Sequence, residues 1–107
     1  MKLIFAIVSN DDSSKVQSGL TMAGFQVTRL SSTGGFLMSG NTTFLCGTED
    51  DKVDEFINIV KENSKPRSQT VAASGSFGVY PYAAYPLEVS VGGATIFVTN
   101  MDRFEKV

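Results

Sequence analysis

"LIFAIVSNDDSSKVQSGLTMAGFQVTRL", residues 3–30, reads as a strand, a helix and a second strand in succession. Leu3 to Val8 is apolar at every position, the pattern of a strand buried on both faces. "SNDDSS" then supplies the short polar side chains that start a helix. Val16, Leu20 and Ala23 recur at i, i+4 and i+7, which predicts one core-facing stripe, and Gly24 stands where a left-handed residue ends a helix. From Phe25 to Leu30 the residues alternate, with Phe25 and Val27 on one face and Gln26, Thr28 and Leu30 on the other.

The plan repeats further on. Thr42 to Gly47 predicts a strand, and Thr48 opens "TEDDKVDEFINIVKEN" as an N-cap. Glu49, Asp50 and Asp51 then fall in a first turn, where acidic groups complement the helix dipole. Val53, Phe56, Ile57 and Val60 form its apolar stripe, and Pro66 marks its end. A short strand is expected over Gln69–Ala73. Leu87, Val89 and Val91 alternate with Glu88 and Ser90, and Gly92-Gly93 leads into "ATIFVT", predicting a terminal hairpin. The order βαβ, βαβ and an added strand points to an α+β, ferredoxin-like (split βαβ) domain: an antiparallel sheet with both helices on one face.

Length and charge narrow the function. The chain of 107 residues suits one domain. Nine Lys plus Arg stand against eleven Asp plus Glu, for a net charge of −2, with no basic cluster. That argues against DNA or RNA as partners. "LIFAIV" is far too short to span a membrane and no cleavage-site pattern follows it, so a cytoplasmic protein with no membrane partner is expected. Cys46 stands alone and there is no histidine. An intrachain disulfide and a Cys/His metal site are thereby excluded.

The same shortage weakens an enzymatic reading. Without histidine, Cys46 and the serines lack the usual base, and the acidic run Glu49 to Asp54 is explained by its place at a helix start. No metal or cofactor is expected.

Residues 31–47, "SSTGGFLMSGNTTFLCG", carry glycines, hydroxyls and two phenylalanines without one charge. They match neither G-x-x-x-x-G-K-[ST] nor G-x-G-x-x-G. Backbone N–H groups around Gly34 and Gly35 could nevertheless cradle an anion. The hydroxyls of Thr28, Ser32, Thr33 and Thr42 and the amide of Asn41 could bind phosphate or ribose, and Phe36 could stack on a base. The competing reading is an ordinary turn whose phenylalanine packs. Residues 66–86 form a second unusual segment, a long loop with Phe77, Tyr80, Tyr82 and Tyr85. These aromatics suit local packing or a lid or partner surface equally.

"TGGFLMSGNTTFLCG" (33–47), "YPLEVSVGGATIFV" (85–98) and the start "MKLIFAIV" resemble the PII-like cyclic di-AMP receptor family, relatives of the PII nitrogen-signalling proteins. The resemblance runs from Met1 to about Phe104. It implies a single PII-like domain over residues 1–107, a homotrimer, no enzymatic activity, and cyclic di-AMP bound between neighbouring subunits. It also implies a short connection after the second strand and a long flexible loop at about 66–86. By resemblance, Thr28 and the backbone of Gly35, Phe36 and Leu37 hold the ligand. Asn41 and Gly47 complete that wall, and Phe97 contributes from the last strand.

The chain departs from the family in places. Gln26 replaces a usual arginine and so removes a charge-assisted contact, and Met38 replaces Arg or Lys, with Arg29 offering a nearby charge. The long loop and the tail "MDRFEKV" differ as well. The expected function is a sensor that signals cyclic di-AMP, or another adenine nucleotide, to an unknown downstream protein through loop ordering. The alternative is a PII-like interaction module that has lost or changed its nucleotide specificity.

Overall fold

The computed structural model describes residues 1–32, 40–72 and 86–107. Its elements are β1 (Lys2–Ser9), α1 (Asn10–Met22), β2 (Thr28–Ser32), β3 (Asn41–Thr48), a 3-10 turn (Asp50–Lys52), α2 (Val53–Asn63), β4 (Arg67–Ala72), β5 (Pro86–Val91) and β6 (Ala94–Asn100). The main sheet has the order β2-β3-β1-β6, with every neighbouring pair antiparallel. With two helices it is an α+β architecture compatible with the expected ferredoxin-like fold.

β1 organises the sheet because it pairs on both sides, Ile4 lying opposite both Cys46 and Val98. Its side chains alternate between faces. Ile4, Ala6 and Val8 are buried with Phe44 and Cys46 of β3, Val16 and Leu20 of α1, and Phe56 and Val60 of α2. Both helices therefore cover one face of the sheet. Val53, Phe56 and Val60 of the expected stripe face this core, with Phe56 and Val60 fully enclosed, while Ile59 packs against it in place of the expected Ile57.

Local chemistry sets where α1 begins and ends. The Ser9 hydroxyl accepts a hydrogen bond from the Asp11 N–H at 3.3 Å, as an N-cap does. At the other end Gly24 has φ +92°, its N–H donates to the Thr21 carbonyl, and the Phe25 N–H donates to the Leu20 carbonyl. These two bonds close the helix with a Schellman motif, whose hydrophobic contact unites Phe25 and Leu20 in the core. Phe25 accordingly belongs to the helix end and packs edge-on against Phe56, with ring centroids 5.3 Å apart and planes at 87°. The second strand begins at Thr28, three residues later than the alternation predicts, and Ala23 is an exposed C-cap.

Three other expectations change. Thr48 is the last residue of β3, held in the ladder opposite Lys2, so it does not cap the second helix. Glu49 occupies the N-cap of the 3-10 turn and makes no side-chain cap bond. Gly92-Gly93 does not close a hairpin: β5 pairs with β4 in a separate two-stranded ribbon, while β6 pairs with β1. The two glycines, at φ +84° and +78°, carry the chain from ribbon to sheet. A Cβ on Gly92 would lie 2.6 Å from the Lys65 carbonyl oxygen and 2.7 Å from Arg67 Nη1, so only glycine fits this crossing. Finally, the short strand expected over Gln69–Ala73 begins two residues earlier, as β4 running antiparallel to β5 from Arg67 to Ala72, and so takes up the first part of the long loop expected at 66–86. Residues 73–85, with Phe77, Tyr80, Tyr82 and Tyr85, lie outside the described residues.

Phe56 joins the helices to the core, so Phe56→Ala should cost about 3–5 kcal/mol in chemical denaturation. A loss below about 1.5 kcal/mol would mean that the site collapses and the ring is not a keystone.

Candidate functional site

Among the described residues, no helix covers the opposite face of the sheet. Alternation puts Leu3, Phe5 and Ile7 of β1 there, and the register adds Thr28 and Leu30 of β2, Thr43, Leu45 and Gly47 of β3, and Thr95, Phe97 and Thr99 of β6. Leu30 is 51% exposed and Phe97 is 56% exposed. Thr28, Leu45, Phe5 and Phe97 form one row straight across this face.

Four of the residues expected to bind ligand, Thr28, Asn41, Gly47 and Phe97, share the open face, but one chain does not gather them into one pocket. Thr28 lies on the β2 edge and Phe97 on the β6 edge, three strand spacings apart, or roughly 14 Å. Asn41 starts β3 opposite Ser9 and Ser32, about 20 Å along the strand from Gly47. Gly35, Phe36 and Leu37, like Thr33, Gly34 and Met38, lie outside the described residues.

Gln26, Thr28 and Gly47 occupy one corner, joined by the C-terminal segment. Lys106 Nζ donates to Gln26 Oε1 at 3.2 Å. A Cβ on Gly47 would sit 2.9 Å from Met101 Cε and 3.3 Å from Phe104 Cδ2. The bare Gly47 backbone is thus the seat of that segment, a role sequence reasoning missed because the tail has no periodicity to place it.

Two expected donors turn away from the open face. Thr42 is buried, and its hydroxyl donates to Asn10 Oδ1 at 2.6 Å. Arg29 lies on the helix side of β2 and donates to Gln17 Oε1 at 2.9 Å and Ser13 Oγ at 3.1 Å. It therefore brings no charge to the face that carries Thr28.

A further ionic contact was not legible in sequence. The Arg67 guanidinium bridges the nearly buried Asp12 carboxylate, with Nη2 to Oδ1 at 3.1 Å and Nη1 to Oδ2 at 3.3 Å. In sequence Asp12 is one of the short polar residues of "SNDDSS" that start a helix. Its partner is 55 positions away in the chain, beyond any local pattern.

No group of three or more His, Cys, Asp or Glu side chains among the described residues is placed to hold a metal ion. Cys46 is buried beside Phe44 in the core, and burial pushes its thiol up from the ordinary value. None of the described helices is long and apolar enough to cross a membrane.

Fold and surface first define a class: a small α+β domain of ferredoxin-like arrangement whose distinctive surface is an open sheet face. The chain belongs to the cyclic-di-AMP receptor family, whose model matches residues 1–107. It is also similar to the crystal structure of a functionally unknown protein from Pediococcus pentosaceus, at 39% identity and a TM-score of 0.75, over 99% of this chain and 96% of that one. A receptor family points to binding and signalling and away from catalysis.

The raised thiol gives a chemical test. A folded-state pKa above the unfolded one means that the native chain holds its proton longer. Cys46 should thus cost stability only as pH rises past the ordinary thiol value of about 8.5. Iodoacetamide at pH 8 should modify the native protein slowly and the denatured protein quickly, whereas rapid native modification would contradict the burial.

Proposed function

We propose that the protein is a homotrimeric, PII-like sensor of cyclic di-AMP that works in the cytoplasm without enzymatic activity. It binds the nucleotide between protomers and signals to a downstream protein through ordering of the long loop that follows β4. The observation that carries this reading is the separation of Thr28 and Phe97. They lie on opposite edges of one open, largely apolar sheet face, so a site containing both draws β2 from one protomer and β6 from the next. Packing three such faces together would cover Leu3, Phe5, Ile7 and Leu45, and cyclic symmetry would make every edge-to-edge site equivalent.

The resemblance assigns Gly35, Phe36, Leu37 and Asn41 to the same site. Main-chain amides and the Thr28 hydroxyl suit phosphate, and Phe36 and Leu37 suit adenine. The first turn of α1 supports the readout. Asn10 accepts the Thr42 hydroxyl and donates its N–H to the Gly40 carbonyl at 3.0 Å, while Asp12, two residues on, holds Arg67 at the base of the ribbon.

Cyclic di-AMP at about 100 times its dissociation constant should stabilise the protein by about 2.7 kcal/mol in a thermal melt. No shift with cyclic di-AMP, ATP or AMP would favour the interaction-module reading instead. Light scattering should give the mass of three chains, and a monomer would remove the shared site. Thr28→Val and Phe97→Ala should each weaken binding, and trimers reassembled from a mixture of the two should regain some intact sites. Failure to regain any would place both residues in one protomer's contribution. Phe36→Ala should lose about 1–3 kcal/mol of binding if the ring stacks on a base, and unchanged affinity would remove it from the site.

A further inference from the structure

The corner formed by Gln26, Thr28 and Gly47 holds an amide, a hydroxyl and bare backbone, all uncharged, and the ligand read for this face carries two phosphodiester anions. The C-terminal segment brings a cation to that corner. We propose that Lys106, anchored on Gln26, receives a phosphate of the bound nucleotide, which makes the tail part of the binding site. This inference rests on the receptor reading above.

The geometry favours a positioned cation over a freely moving one. The Gln26 amide oxygen takes one ammonium donor at 3.2 Å and leaves two for an anion. Met101 and Phe104 fix the segment where it crosses Gly47, since the space a side chain would need there is filled by their atoms. Glu105, the acidic neighbour of Lys106, is engaged by Arg103 Nη2 at 2.9 Å and so is not the tail's counter-ion for the ammonium. Arg29, the arginine of the adjacent strand, is committed to α1 on the opposite face. Lys106 is exposed, so an incoming anion meets the ammonium without displacing core packing.

The test is calorimetric titration of the full chain with cyclic di-AMP at low and high salt. Lys106→Gln should bind about tenfold or more weakly, the loss expected for a hydrogen bond to a charged group. Its affinity should also vary less with salt than that of the unmodified protein. Lys106→Arg should retain most of the affinity, and Lys61→Gln, a neutralisation in the last turn of α2, should retain it all. Unmodified protein that binds while Lys106→Gln matches or exceeds it would overturn this inference alone, as would an equal loss from Lys61→Gln. Absence of binding by the unmodified protein would overturn the receptor reading and this inference together.

Discussion

β1 is apolar on both faces and pairs on both edges, and the rest of the molecule follows from satisfying it. One face is covered within the chain by α1 and α2, which bury Ile4, Ala6 and Val8. The other carries Leu3, Phe5 and Ile7 and receives no helix among the described residues. Purely parallel sheets hide both faces under crossover helices, but an antiparallel sheet with two crossovers on one side has nothing left for the second face. That imbalance leaves one face of β1 packed under the helices and the other open. Removing apolar area from water contributes about 25 cal/mol per Å², so the open face would gain stability from being covered.

The core and the faces were legible in sequence because they follow short periods. Val16, Leu20, Phe56 and Val60 are buried where helical spacing puts them, and Thr28 and Leu30 share the face that alternation assigns. Junctions were less legible, since there backbone hydrogen bonding competes with side-chain pattern. Phe25 fits a strand alternation, yet its N–H is claimed by the Leu20 carbonyl and its ring by the core. Thr48 has the side chain of a cap and the backbone of a strand. Gly92-Gly93 has the composition of a hairpin turn, but β5 and β6 each had another partner, and only the long-range pairing settles which ladder forms.

The candidate site was legible as residue types and not as an arrangement. Sequence placed Gln26, Thr28, Gly47 and Phe97 together on resemblance. The register puts Thr28 on one edge strand and Phe97 on the other, with Gly47 on β3 between them, which one linear reading does not reveal. Side-chain direction also sorts the neighbours: Arg29 and Thr28 are adjacent in sequence and serve opposite faces, one bracing α1 and the other open to a ligand. A charge counted near the site by position was therefore on the wrong side of the strand, while a charge from the far end of the chain lies beside Gln26.

The first turn of α1 joins distant parts of the chain. Asn10 is bonded through its N–H to Gly40 and through its side chain to Thr42, both at the start of β3. Ser13, whose hydroxyl donates to the Asn10 carbonyl at 2.8 Å, accepts from Arg29 of β2. Asp12, between them, grips Arg67 at the foot of the ribbon, where Gly92 leaves room for the guanidinium. One rigid helical turn thus touches the return of the β2–β3 connection, the β2 edge and the base of the β4–β5 ribbon. Gly40 and Arg67 are tied to the same turn by polar contacts that do not pass through Phe44 or Phe56.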